Sequence, residues 1–354
     1  MKASSGFYIP SLDGIRAVAA MLVFVAHAGW HEIVPGGFGV TVFFFLSGYL
    51  ITTLLRREYE LTGDVNFKNF YLRRVYRIFP PLYIVLLIGF VLATTGVFEH
   101  DMRPGAVLAQ VLYWTNYYFA AYGNAYFVPH TSMYWSLAVE EHFYFVFPML
   151  FLAAVRHRSL RGAAMIFGLI CLAGLAWRYW LVLGLDATEI YTYRATDSRF
   201  DSLMYGCILG VWQNPVLDPD WRLSTRRKWL ILCTALGAFL FTLLYREEVF
   251  RETLRYSIQG IALFPLFWLA VRYPEWWVFR WLNWSPIRFL GTVSYTFYLS
   301  HVTMLNLASQ YLNARGIVLA LLGFVMTLVF SSLMYFAIER PIGRLRRKLH
   351  KEYR

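Results

Sequence analysis

Arg16 and His27 stand eleven residues apart in a segment that is otherwise largely apolar. On an α-helix that spacing is three turns plus about 20°, so the two side chains share a face, roughly 16 Å apart along the axis. Ionisable groups inside an apolar helix are costly and usually face a partner or a water-filled cavity. A guanidinium there can hold an anion, and an imidazole, titrating near neutrality, suits a general base. A plainer account stays open: Asp13 and Arg16 pair at i, i+3 near an interface, and His27 is a satisfied polar group at the far boundary.

Two further groups could do chemistry. Arg74 and Arg77 are i, i+3 neighbours just before Pro80-Pro81, and two guanidinium forks on one face make a phosphate clamp. They equally suit a basic anchor on anionic lipid, lying in an interfacial helix, with the prolines in the first turn of the next span. Glu140-Glu141-His142 opens an apolar run, where a carboxylate could orient His27 or receive a substrate hydroxyl. First-turn acids also favour the helix dipole without any function. The run is not HExxH, so it gives no zinc-protease signal, and Ser47 lies in Leu-Ser-Gly-Tyr, not in G-x-S-x-G. Asp197, Arg199, Asp201, His301 and Glu339 read as local polar caps, and Pro35-Gly-Gly-Phe-Gly39 as a turn between two spans.

The elements that must position these residues are membrane helices. Of the 354 residues, 58% are hydrophobic and 15% charged, against roughly 45–50% and about 25% in soluble domains. Ten apolar segments recur from end to end: 12–30, 39–55, 78–98, 134–155, 162–184, 200–213, 229–245, 253–271, 291–311 and 317–338. The first follows a short polar start with no small-residue cleavage site, so it reads as a retained span and not a signal peptide. The three cysteines, Cys171, Cys207 and Cys233, sit in apolar segments without ligand spacing and are expected to be buried, with no disulfide or metal role.

An eleventh candidate, 106–122, decides every later orientation. If it does not cross, twenty-four of the thirty-three Lys and Arg fall on the side of the two termini and six on the other. Short cytoplasmic loops collect basic residues, so both termini are expected to be cytoplasmic and 106–122 to be re-entrant or interfacial between spans three and four. The net charge of +12 is then topological, and nucleic acid is not needed to explain it. The fold class expected is an all-α polytopic membrane protein in one domain, 1–354.

In this order the motifs resemble the acyltransferase 3 family of integral membrane O-acyltransferases. The resemblance is carried by Leu12-Asp-Gly-Ile-Arg16 with His27, Gly36-Gly-Phe-Gly-Val-Thr-Val-Phe-Phe-Phe-Leu-Ser-Gly-Tyr49 and the Arg74-x-x-Arg77 pair. It continues through Trp135-Ser-Leu-Ala-Val-Glu-Glu141, Ser294-Tyr-Thr-Phe-Tyr-Leu-Ser-His301 and Glu339-Arg-Pro341. Two positions depart from it. Ser300 precedes His301 where relatives often have Trp, and His142 stands where Gln is common.

The resemblance implies transfer of an acyl group, usually acetyl, from cytoplasmic acyl-CoA to a hydroxyl of an extracytoplasmic or lipid-linked carbohydrate at the inner (plasma) membrane. It implies His27 and Arg16 as catalytic, with Glu141 orienting the base, and Arg74, Arg77 and Arg16 as the acetyl-CoA contacts, with no metal. Many relatives carry a fused SGNH domain. This sequence ends at Arg354, so a separate extracytoplasmic partner is an expectation. The competing classes are a proton-coupled transporter or flippase of an anionic small molecule, using Arg16, His27 and Glu141, and a lipid-binding scaffold that tolerates their replacement.

Overall fold

The structure, a computed structural model, describes residues 8–219 and 222–348. Lys2 and the tail's basic side chains from Arg346 onward, which enter the charge bias, lie outside the described side chains. The helices are α1 (Leu12–Val25), α2 (Gly36–Thr62), α3 (Phe67–Thr94), α4 (Pro104–Val111) and α5 (Thr115–Tyr122). There follow α6 (Trp135–His157), α7 (Leu160–Gly184), α8 (Glu189–Arg194), α9 (Thr196–Val211) and α10 (Thr225–Leu244). The last are α11 (Glu248–Glu252), α12 (Leu254–Arg272), α13 (Ser285–Leu312), α14 (Gly316–Met334) and α15 (Arg340–Lys348). No strand occurs among the described residues.

Among the described residues, eight helices are long and apolar enough to cross a membrane. The other two expected spans are also single helices, the short α9 and the polar-rich α13. Chain direction alternates through these ten, which gives the bundle two faces. The proximal face is where α1 begins and α2 ends, and the distal face is where α2 begins. Sequence-local caps start several helices: the side chains of Asn66, Ser159 and Ser224 accept from the backbone three residues on, closing α3, α7 and α10.

Segment 106–122 is not a span. It is two eight-residue helices, α4 and α5, broken at Leu112–Trp114 and lying at the distal face. Its buried polar groups are met by protein: Gln110 Nε2 donates to Thr131 Oγ1 at 2.6 Å, and Val128 N donates to Gln110 Oε1 at 3.0 Å.

Three local expectations are corrected. Arg74 and Arg77 do not sit on a separate interfacial helix, because α3 runs unbroken through Pro80 and Pro81. Tyr295 OH, from α13, donates to the Ile78 carbonyl at 2.9 Å, tying α13 to α3 next to the prolines. The glycines after Pro35 are the first turn of α2, not a connecting turn. Cys171 and Cys207 are buried as expected, but Cys233 is exposed on the side of α10.

Close backbone approach holds the bundle together. A Cβ on Gly48 of α2 would meet the Leu203 carbonyl oxygen of α9 at 1.9 Å, and one on Gly206 would meet the Phe45 carbonyl oxygen at 2.0 Å. On the other side, a Cβ on Gly291 of α13 would lie 1.8 Å from the Asp13 carbonyl oxygen of α1. Small residues let membrane helices approach this closely, and here they fix α1 against α13. A further tie, between α7 and α9, is ionic: Arg178 and Asp201, both fully buried, lie 2.7 Å apart.

Candidate active site

Two cavities occupy the bundle interior. The first, about 760 Å³ counting its open mouth, is lined by Arg16, Arg74, Arg77, Glu140 and Glu141, together with Ser47, Tyr144 and apolar groups. It therefore brings together four of the five residues singled out from the sequence. Arg16 Nη1 lies 2.9 Å from Asp13 Oδ1, so the i, i+3 pair forms while Arg16 still lines the cavity. The guanidinium of Arg74 lies 4.4 Å from the Tyr144 ring centre. Tyr144 OH is hydrogen-bonded to Ser47 Oγ and lies 3.1 Å from Glu140 Oε2, to which it donates. Arginines beside a tethered carboxylate make a cationic but internally buffered mouth. Phosphate-rich anions fit its three guanidinium groups.

The second cavity, about 1940 Å³ by the same measure, is lined by His27 and by residues of the distal connections, among them Glu32, Glu189, Arg194 and Arg251. His27 belongs to a wider π-helical turn, Ala26–Trp30, that ends the first span. The kink in that turn falls at Gly29, after His27, where φ is 111°. Arg16 and His27, three turns apart along the first span, line different cavities. Val40 and Tyr298 line both and form the wall between them.

The group that holds His27 is another histidine. His301 Nε2 is 2.9 Å from His27 Nδ1, and His301 Nδ1 is 2.7 Å from the Tyr298 carbonyl oxygen. A carbonyl only accepts, so His301 Nδ1 carries the hydrogen, and in a neutral ring its Nε2 is then the acceptor. His27 must donate from Nδ1, which leaves its Nε2 with the lone pair. His301 is 1% exposed, so the orienting ring is sealed from water while His27 borders the cavity.

The family model described as an acyltransferase domain matches residues 9–336. The chain belongs to the acyltransferase 3 family. Among relatives of this acyltransferase 3 chain, a putative peptidoglycan O-acetyltransferase, YrhL of Bacillus subtilis (strain 168), is 30% identical over 351 residues, covering 95% of this chain and 55% of the relative. The peptidoglycan O-acetyltransferase OatA of Listeria monocytogenes serovar 1/2a is 30% identical over 363 residues, covering 95% and 56%. A putative O-acetyltransferase of Staphylococcus aureus (strain COL) is 27% identical over 360 residues, covering 95% and 58%. The chain thus spans somewhat over half the length of the curated relatives it matches. No solved structure matches.

Within this acyltransferase 3 domain, the remaining sequence candidates separate by contact. His142 Nδ1 lies 2.8 Å from Thr196 Oγ1, and its ring packs on Trp114 and Tyr117, away from His27. Asp197 accepts from Tyr117 OH at 2.9 Å and Trp177 Nε1 at 2.7 Å, as a local cap should. Glu339 accepts from Thr296 Oγ1 at 2.6 Å, tying the end of the last span to α13. Asp201 is no cap, since it is spent on Arg178. Among the described residues no three of His, Cys, Asp and Glu converge as metal ligands. Sequence reasoning missed the partnership of His301 with His27, which joins residues 274 positions apart, and it missed Tyr144. A histidine in a polar-flecked span was the available signal for the first; nothing marked the second.

Proposed function

We propose that this chain is a membrane O-acyltransferase that moves an acyl group, acetyl by preference, from cytoplasmic acyl-CoA to a hydroxyl of an extracytoplasmic or lipid-linked carbohydrate. One observation carries the reading: an arginine-lined cavity and a cavity bordered by a histidine with a bare Nε2 lie back to back, sharing Val40 and Tyr298. The excess of basic residues on the proximal face supports a cytoplasmic position for that face and both termini, in a plasma membrane. The relatives' printed activities support acetyl as the group and a glycan as the acceptor.

Arg74, Arg77 and Arg16 hold the anionic donor, and Arg16, which lines only the donor cavity, acts in binding it. Glu141 shares the donor cavity with these arginines, so it sets their local charge, and the orientation of the base falls to His301. His27 Nε2 takes the proton of the acceptor hydroxyl as its oxygen bonds to the acyl carbon. The carbon–sulfur bond breaks, and the CoA thiolate leaves and is protonated. A positive charge arising on His27 is stabilised by His301 Nε2 through the existing hydrogen bond.

The test is acetyl-CoA binding and CoA release by the purified protein in nanodiscs, with wild type, Arg74→Ala/Arg77→Ala and His27→Ala compared. Loss of binding in the arginine variant, with binding kept and release lost in His27→Ala, is the expected result. Normal turnover by His27→Ala defeats the reading, and wild type that moves an anionic solute without releasing CoA replaces it with a transporter.

A further inference from the structure

The second cavity holds more positive charge than it can use internally. Arg194, Arg246, Arg251 and Arg255 line it, against the two acids Glu32 and Glu189. Both acids are already engaged, Glu32 at 3.1 Å from His31 and Glu189 at 3.8 Å from Arg251. That leaves Arg194, Arg246 and Arg255 with no carboxylate within ion-pair distance among the described residues. The neighbouring buried acid, Glu252, accepts from Thr192 Oγ1 instead.

Two of the three pack on rings, with Glu189 and Glu252 acting on them only from beyond ion-pair distance. Arg194 lies 3.9 Å over Phe119, and Arg255 lies 4.8 Å over Tyr256 while donating to its hydroxyl at 2.9 Å. Nε of each is buried with no hydrogen-bond partner. Stacking fixes the plane of a guanidinium and leaves its in-plane donors open. Burying a cationic donor without a protein partner is costly, and Arg194 and Arg255 each carry one beside this cavity. Trp135 and Tyr193 line the same space and pack on each other, with ring centres 4.9 Å apart.

We propose that the second cavity takes an anionic acceptor, a glycosyl unit whose phosphate or carboxylate is clamped by Arg194 and Arg255 while a hydroxyl of the same molecule reaches His27. This rests on the assignment of that cavity to the acceptor, and it narrows the acceptor from carbohydrates in general to those bearing an oxyanion. The clamp also sets reach: a neutral sugar can enter, but nothing aligns its hydroxyl with Nε2.

The experiment is direct binding, without any acyl donor, to the full chain in phosphatidylcholine nanodiscs by titration calorimetry, with glucose 1-phosphate, glucuronate and glucose as probes. Wild type should bind at least one of the two anionic sugars about ten-fold or more tightly than glucose. Arg194→Gln and Arg255→Gln should each reduce that preference about ten-fold, and the double variant should abolish it. Arg194→Lys, which keeps the charge but not the fork, should retain part of it. Equal affinity for all three probes in wild type overturns the proposal, as does a preference that survives in the double variant. If a glutamine variant loses its folded profile, displacement of the anionic sugar from wild type by inorganic pyrophosphate replaces it, and failure to displace overturns the proposal. Repeating the titration with phosphatidylglycerol discs separates the sources of the oxyanion. An unchanged preference supports a soluble or carrier-borne acceptor, whereas its abolition assigns the arginines to a lipid headgroup and overturns the proposal. Because no turnover is measured, a failed CoA-release assay with the preference intact sinks the acyl-transfer reading and leaves the anion site. The converse result sinks the anion site alone.

Discussion

His301 donates from Nδ1 to the Tyr298 carbonyl and presents Nε2 to Nδ1 of His27, 2.9 Å away. The pair resembles a base and its orienter, with the difference that the orienter is neutral and can be charged only at the cost of burying a cation. His301→Ala should lower kcat about 10- to 100-fold, the usual loss for an orienting partner, with the KM for acyl-CoA unchanged. His27→Ala should cost about 100-fold or more. A readout specific to orientation is the pH–rate profile: its acidic limb, set by protonation of the base, should move in His301→Gln, and an immobile profile would leave His301 a packing residue.

The donor cavity predicts a different kinetic signature. Arg74→Ala and Arg77→Ala should each raise the KM for acyl-CoA about ten-fold with a smaller change in kcat, since the interaction is made before and during transfer alike. Raising ionic strength should weaken donor binding in wild type more than in either variant. Initial rates across a donor and salt series would settle it, and a pure kcat effect would move these arginines from holding the donor to acting in the reaction.

Gly291 tests the geometry beneath the site. Its missing Cβ lies 1.8 Å from the Asp13 carbonyl oxygen, so Gly291→Ala must push α13 from α1 and with it His301 from His27. A cost of about 1–3 kcal/mol is expected for such overpacking, read as a lower thermal midpoint in detergent together with reduced turnover. Gly237→Ala, at a position with open space around it, is the control and should change neither.

The Arg178–Asp201 pair should behave as a sealed ion pair does. Removing one partner, as in Arg178→Met, strands a buried charge and should cost about 3–5 kcal/mol. Replacing both, as Arg178→Met/Asp201→Leu, should recover most of that. A double-mutant cycle on detergent unfolding gives the comparison, and additive losses would mean the two residues do not depend on each other.

Glu252, in the distal connection, carries a pH prediction. Burial pushes its carboxyl above the ordinary glutamate range, so the folded chain holds a proton that the unfolded chain releases. Its contribution to stability is therefore full at pH below the unfolded value, and is lost as pH rises through the folded one. Glu252→Gln should flatten the fall of the thermal midpoint over that window. An unaltered pH dependence in the variant would contradict it.

Much of this architecture was legible in the residues because lipid imposes simple rules. Apolar length places the helices, and the bias of Arg and Lys sets aside 106–122, which folds as two short helices. Arg16, Arg74 and Arg77 gather at one cavity, and Glu141, expected beside His27, lines that cavity instead. The π turn at Ala26–Trp30 was not legible, because it leaves no periodicity of its own and is set by how α1 meets its neighbours. Helical-wheel arithmetic put Arg16 and His27 on one face about 16 Å apart, and they line two cavities. The link between His27 and His301 depends on α1 lying against α13, which glycine contacts such as Gly291 with Asp13 determine and one-dimensional patterning does not.

The wall made by Val40 and Tyr298 has an electrical consequence. A bilayer core insulates over about 30 Å, but where water enters from both faces the voltage falls mainly across whatever remains between them. Val40 and Tyr298 are the side chains both cavities share, so with water in each cavity from its own face the field would concentrate on that wall, at about 2.3 kcal/mol for each unit charge per 100 mV. A neutral acetyl group would cross such a barrier without electrical work. A phosphate, a thiolate or a proton would not, so a wall open to the acyl group alone would keep the two faces insulated from each other.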